Sequence, residues 1–532
     1  MSCATLPIRA AAAGLLLGAA LGIADGFRAP PMAGETHAQR IVGVCGLDAA
    51  AGAALGAIVG VVLALTTSVA PGRRLTLASG ALLLTVGAAG AARLPRSGTL
   101  RIEAARAARL EGPAPVLHDD HPRGVVLITL DTVRADSLAQ MPALTARAAT
   151  AQRFTAARAN GAWTLPSMAS IHTGLPYPAH GAAQMQSTAA GSARTGLDPS
   201  VPTLAEALAA RGFVNFGVVT NAFNGQRFGF HRGFDRFVDL SRHALRNHAL
   251  RRASLLRTLV PSRPDRGDAV TDQALAWLPR VSDGRFFLWL HYLDAHAPYS
   301  ADPGGFDPFA ECALPDCFDA WSSVRRGTLA LDAAEQQRVR TLYDTDLAWL
   351  DGQLARLFAG LDASGALDHT LVVVVGDHGE AFWEPGEAGR PEVEHGGSFR
   401  EPVVRVPLLA WEPGVPPSER TASVDLTMIR PAILAWSDQG GLGPLDSGVD
   451  RVTPLGSLLF ANEEEGCTDG RTKVVRKRSG LAVWDLTVDP REEHPSTAAP
   501  AHLLRCLDET RARVGNGVGG DVHALRALGY VE

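Results

Sequence analysis

Apolar positions are spread unevenly along the chain. Three apolar runs crowd the first hundred residues: Ala10 to Ile23, Ala49 to Val69 and Leu75 to Ala92. The second carries no charge over the roughly 20 residues that a bilayer core demands, and the third is slightly shorter and equally uncharged. A soluble helix of that length would show a polar face. Residues 1–93 are therefore predicted to form a membrane region with two to three transmembrane helices; a buried helical hairpin is the alternative. The last two runs are joined by the short basic turn Pro71-Gly72-Arg73-Arg74. Arginines in a short loop favour the cytoplasmic side, which places the chain after Ala92 outside the cytoplasm. Arg93, Arg96 and Arg101 weigh against that orientation without reversing it. Arg9 ahead of the short first run also fits a cleaved signal peptide, with the same outcome for the C-terminal domain. The expected location is the cell membrane, multi-pass, with the larger domain on the extracytoplasmic side.

Beyond a polar, Arg- and Pro-containing linker at 94–122 the pattern changes. Gly124 to Leu130 is a continuous apolar run, the mark of a strand buried on both faces. Phe213 to Val219, Phe286 to His291 and Leu371 to Val375 read the same way. Thr203-Leu204-Ala205-Glu206 has the form of a capping box, opening a helix that Gly212 can close. Ala333 to Ala359 is a long helical stretch that Gly360 can end. Strands alternating with helices predict an α/β domain with a largely parallel sheet covered by helices on both faces. Its bounds are placed at 123–440, with a smaller C-terminal subdomain at 441–532 completing the same domain. No internal repeat is visible.

Composition adds two constraints. Charged residues are 20% of the chain and the formal net charge is −5, so the basic footprint of a nucleic-acid binder is missing and no nucleic acid is expected as a partner. Cys312, Cys317, Cys467 and Cys506 follow the membrane part, an even count that suggests disulfides in an exported domain. A zinc site of four thiolates is the alternative, but their spacing does not form paired CxxC knuckles.

The candidate chemistry lies at strand ends. The first strand runs into Asp131, Leu371–Val375 into Gly376-Asp377-His378-Gly379-Glu380, and Phe286–His291 into Asp294 and His296. In open α/β sheets ligands bind beyond the carboxyl ends of strands, and Asp with His suits a divalent ion. A nucleophile is offered by Trp163-Thr164-Leu165-Pro166, where Pro166 fits a helix's first turn and Gly174 its end. Thr164 would stand just ahead of that helix, where its dipole and free N–H groups favour an anion; an ordinary N-cap is the other reading.

In this order the segments resemble the sulfatase family of the alkaline phosphatase superfamily, from about Arg123 onward. Leu127 to Asp136 looks like its opening strand and metal carboxylate, and Thr164 to Gly174 with His180-Gly181 like its nucleophile helix. His291 to Tyr299 looks like its substrate-side histidine segment, and Asp377-His378-Gly379-Glu380 with His395-Gly396 and Arg405-Val406-Pro407 like its second metal segment. The resemblance implies an alkaline-phosphatase-like fold. It also implies one divalent metal ion (Ca, Mg, Mn or Zn) held by Asp131, Thr164, Asp377 and His378. Thr164 would be the nucleophile, with His296 and His395 contacting the transferred group or assisting the leaving oxygen.

Several departures refine this. Sulfatases need a Cys or Ser at the Thr164 position for oxidation to formylglycine, whereas threonine serves phosphoryl-transferring relatives. The family's arginine four residues on is Met168, and a family asparagine falls at or near Met185. Asp294 has Pro298 where a second metal site would need histidine, so one metal is expected rather than two. The function implied is a membrane-anchored hydrolase or transferase acting on phosphate or sulfate esters through threonine, the substrate an anionic ester of a lipid or envelope glycan. The alternative is a catalytically degenerate domain that binds an anionic envelope component.

Overall fold

The strand Gly124–Leu130 is buried at every position and alternates its side chains between two separate cores. Val125 and Leu127 join the cluster beneath the helices Thr164–Thr173, Leu204–Ala209 and Ile429–Gln439. Val126, Ile128 and Leu130 join the cluster beneath Pro142–Ala148, Gly267–Val281 and Ala333–Ser364. This period-two division is what a strand covered on both faces requires, and it explains the unbroken apolar run. The structure, a computed structural model, describes residues 123–188, 191–241, 267–281, 284–297, 299, 323–325, 327–385, 391–456, 464–477 and 479–512.

Around that strand lies an eight-stranded sheet. Its order is Ser418–Arg420, Gln152–Phe154, Leu408–Trp411, Thr370–Gly376, Gly124–Leu130, Phe286–Tyr292, Val214–Val219 and Arg236–Asp239. Pairing is parallel except where Leu408–Trp411 meets its two neighbours. The expected α/β sheet with helices on both faces is observed. The apolar runs of residues 1–93 and the linker lie outside the described residues; among the described residues no helix is long and apolar enough to cross a membrane.

Register decides where the chemistry goes. Leu130 pairs with both Tyr292 and Gly376, so three strands end at one level. The Asp131 N–H donates to Tyr292 O at 2.9 Å and the Asp377 N–H to Leu130 O at 3.1 Å, carrying that alignment one residue past the strands.

Two element ends differ from the sequence reading. The long helix runs through Gly360 and stops at Gly365, whose φ of 69° is the left-handed cap. Gly360 instead serves packing: a Cβ there would come within 2.1 Å of a Leu275 methyl on the facing helix. The helix Thr164–Thr173 begins at Thr164 itself, with Trp163 as N-cap, so Thr164 is the first helical residue rather than the cap. The Thr203–Glu206 capping box is present in full.

A second, four-stranded antiparallel sheet runs in chain order through Thr453–Gly456, Glu465–Thr468, Thr472–Lys477 and Gly480–Asp485. The helix Ala501–Ala512 is tied to it by the disulfide Cys467–Cys506. Cys312 and Cys317 lie outside the described residues. The sheet is fastened to the larger unit by Lys473, which is fully buried and contacts Glu401 and Glu492, each at 2.8 Å, and Phe399 O at 2.7 Å. Arg158 completes the set through Glu401 at 2.9 Å.

Candidate active site

The aligned strand ends set Asp131 and Asp377 side by side, and the chain then turns sharply at each. After Asp131, Thr132 takes a left-handed φ of 58°, which a β-branched residue adopts only under constraint; its carbonyl accepts from Tyr343 Oη at 3.0 Å. After His378, Gly379 passes so close to the Pro402 carbonyl that a Cβ would sit 2.1 Å from it, and its N–H donates to Val403 O at 2.6 Å. The glycine after the Asp-His pair is therefore a backbone necessity.

Each carboxylate has one oxygen tied and one bare. Asp131 Oδ2 accepts from Asn221 Nδ2 at 2.7 Å, His291 Nε2 at 3.1 Å and Thr164 Oγ1 at 3.4 Å. Asp377 Oδ1 accepts from the His378 N–H at 2.8 Å. Asp131 Oδ1 and Asp377 Oδ2 are buried without a hydrogen-bond partner. His378 Nδ1 donates to Gly379 O at 2.9 Å, which leaves the Nε2 lone pair facing Asp131 Oδ1 at 3.5 Å and Asp377 Oδ2 at 3.7 Å. Separations of this size are those of ligands around an ion bonded at roughly 2.0–2.2 Å, and a ligating histidine usually donates its other nitrogen to a carbonyl in this way. Asp131, Asp377 and His378 thus fit a divalent cation, and Thr164 Oγ1 lies 3.3 Å from His378 Nε2.

The electrostatics agree. Burial would raise the Asp131 carboxyl, yet the hydrogen bond from His291 and the nearby His296 and His378 hold it well below the usual carboxylate range. Burial and the Asp131 charge push Asp377 well above that range. Burial, with His395 beside it, lowers His378 to about 3, and burial with His296 lowers His395 to about 4. These neutral imidazoles and two crowded carboxylates call for a positive charge between them.

Around this centre, His395 lies 4.4 Å from His378 and 4.9 Å from His296, ring centre to ring centre. His296 Nδ1 donates to Ala297 O at 2.5 Å. All the sequence-predicted residues, Asp131, Thr164, His296, Asp377, His378 and His395, are therefore brought to one rim. Asp294 is not: its Oδ1 accepts the Gly267 N–H at 3.0 Å, at the start of the helix Gly267–Val281. Met168 is fully buried in the apolar core, and Met185 opens a hairpin whose backbone pairs it with Arg194. The Arg194 guanidinium stacks on Trp163 at 5.3 Å, setting a cation beside the residue that precedes Thr164.

Two residues escaped sequence reasoning. Asn221 donates to both Asp131 Oδ2 and Thr164 Oγ1, the latter at 3.2 Å, so it ties the hydroxyl to the carboxylate. His291 completes a one-directional chain in which Trp289 Nε1 donates to Thr129 Oγ1 at 3.0 Å, Thr129 donates to His291 Nδ1 at 2.9 Å, and His291 Nε2 donates to Asp131. Asn221 sits just past the end of Val214–Val219, so the strand-end rule that found Asp131 could have found it.

A family model described as Sulfatase matches residues 123–438. The choline-sulfatase of Rhizobium meliloti (strain 1021) is 28% identical over 285 residues, 46% of this chain and 54% of that protein. A multifunctional alkaline phosphatase superfamily protein of Trinickia caryophylli is 29% identical over 159 residues, 25% of this chain and 31% of that protein. The chain thus spans about half, or less, of the length of these curated relatives. Among solved structures, a phosphonate monoester hydrolase from Silicibacter pomeroyi superposes with a TM-score of 0.54 at 21% identity, over 73% of this chain and 94% of that one, which is a likeness of fold. With more than half of its length matched by the family model, the chain belongs to the sulfatase family.

Proposed function

We propose that this protein is a metal-dependent hydrolase or transferase of phosphate esters, with Thr164 as its nucleophile. The observation that carries the reading is the convergence of two bare carboxylate oxygens, the His378 Nε2 lone pair and the Thr164 hydroxyl at the start of one helix. Asp131, Asp377, His378 and Thr164 would hold the ion. When bound it would supply Lewis acidity, easing deprotonation of the hydroxyl and balancing charge on the transferred group.

The chain's own residues do the rest. Asn221 and Asp131 hold the Thr164 oxygen in place. The helix N-terminus, where Trp163 gives no side-chain cap, offers free N–H groups to the anion. Thr164 Oγ would lose its proton to solvent and bond to phosphorus as the bond from phosphorus to the ester oxygen breaks, and His296 and His395 would assist that departing oxygen. Water or an acceptor alcohol then attacks phosphorus and releases Thr164. Phosphoryl transfer needs mainly positioning and charge stabilisation, which this site supplies. A sulfated threonine would lack the release route that a hydrated formylglycine has, so phosphate esters are favoured over sulfate esters. The names of the relatives include both sulfate-ester and phosphonate-ester chemistry, so a panel of phosphate, phosphonate and sulfate esters, with metal analysis of the same sample, is the test. Faster cleavage of sulfate esters would contradict the reading.

We also infer that residues 1–93 anchor the domain outside the cytoplasm, where an envelope lipid or glycan ester would be its substrate. The Arg73–Arg74 turn and the Cys467–Cys506 disulfide support this, since such bonds persist in oxidising compartments. A reporter fused after Glu532 should be active only outside the cytoplasm; cytoplasmic activity would overturn the orientation.

A further inference from the structure

Three imidazoles crowd the rim, and their Nδ1 atoms are not treated alike. His378 and His296 each donate to the backbone carbonyl of the following residue. His395 Nδ1 instead meets an acid group, Glu380 Oε1, at 3.1 Å. Glu380 is fully buried, and its other oxygen accepts from Tyr299 Oη at 2.9 Å. Its backbone is pinned as well: the N–H donates to Pro402 O at 3.1 Å, and the carbonyl accepts from Arg134 Nη1 at 2.9 Å. With both carboxylate oxygens engaged, Glu380 stands apart from the ligand group Asp131, Asp377 and His378, although it follows His378 by only two residues. A buried acid in that place is costly unless it serves a neighbour.

We propose that Glu380 is a positioning residue for His395: it fixes the ring plane and engages Nδ1, so that Nε2 is the nitrogen that faces the leaving-group oxygen of the ester and passes to it a proton taken up from solvent, leaving the neutral Nδ1–H ring behind. The proposal rests on the reading of His395 as a residue that assists the departing oxygen. The two backbone-bound imidazoles are held by neutral carbonyls. His395 is held by an acid group on its far side, the arrangement found behind a working histidine. Tyr299 holds the carboxylate in turn, which makes a three-member chain of Tyr299, Glu380 and His395 ending at the site.

The test uses the full-length protein with two phosphate esters, one releasing 4-nitrophenol and one releasing a simple alkyl alcohol. Nitrophenolate departs without a proton, whereas an alkoxide needs help. Glu380→Ala should lower kcat for the alkyl ester on the order of 100-fold, with KM changed by no more than about three-fold, and should affect the nitrophenyl ester far less. His395→Ala should show the same split, and the double variant should be no slower than His395→Ala alone. Metal content should stay at the wild-type level in both single variants. Glu380→Asp should recover part of the alkyl-ester rate, and Tyr299→Phe should give a smaller loss of the same pattern. Equal losses on both esters, or loss of the metal in Glu380→Ala, would assign Glu380 a structural role and overturn the proposal. Full alkyl-ester activity in Glu380→Ala alongside a slow His395→Ala would also overturn it, while leaving the reading of His395 intact. Full activity in His395→Ala would remove that reading, and the proposal with it.

Discussion

At the junction of the two sheets, buried Lys473 meets Glu401, Glu492 and the Phe399 carbonyl, and Arg158 meets Glu401 from the other side. At the rim of the large sheet, Asp131 and Asp377 are just as deeply buried, yet each leaves one oxygen without a partner. Both regions take charge out of water, which is expensive. Only the junction compensates within the chain. Buried polar groups in folded proteins are almost always satisfied, so a bare pair beside a neutral histidine marks a place completed by something from outside. The contrast separates charge that the chain balances itself from charge that it leaves unbalanced.

The largest expected effect of breaking this contrast is at the rim. Thr164→Ala should lower kcat by several powers of ten, on the order of what removing a covalent nucleophile costs elsewhere. Binding of a non-hydrolysable phosphonate analogue should survive much better, as titration calorimetry would show. A variant that keeps its turnover would remove Thr164 from the reaction.

At the junction the effect should fall on stability instead. Lys473→Met leaves Glu401 and Glu492 buried beside each other with less positive charge, and should cost about 3–5 kcal/mol in denaturant unfolding. Its metal content should be unchanged. A neutral substitution there would mean that the sheets are held by apolar contacts alone.

A smaller effect is expected from acid. Although burial opposes it, Lys473 and Arg158 hold Glu401 down to about 2, against 4.5 for an ordinary glutamate. A carboxyl whose folded value is depressed contributes stability that is fully present above the unfolded value and is lost as pH falls through the folded one. Unfolding midpoints should therefore drop between about pH 4.5 and 2 in the native protein. The drop should be shallower in Lys473→Met; an unchanged slope would dissociate Glu401 from Lys473.

The difference between the regions also explains what the sequence could reveal. Strands such as Gly124–Leu130 and Thr370–Gly376 are legible because burial on both faces writes an unbroken apolar run. Asp131, Asp377 and His378 are legible because they follow such runs directly. His291 is not, since it lies inside the strand Phe286–Tyr292 and its role depends on Thr129 and Trp289. The Lys473 cluster joins positions hundreds of residues apart, from Arg158 to Glu492, and no local pattern announces it. Gly360 misleads because a glycine that ends a helix and one that admits a neighbouring leucine look the same in one dimension.

Asp131, Asp377 and His378 are expected to hold one divalent ion against Thr164. The most direct measurement is the metal content of the purified full-length protein and of Asp377→Ala, by elemental analysis on matched samples. The expected result is close to one divalent ion per chain in the native protein and almost none in the variant, with the variant still folded. Full metal retained by Asp377→Ala, or a native protein that binds no divalent ion when supplied with it, would contradict the account.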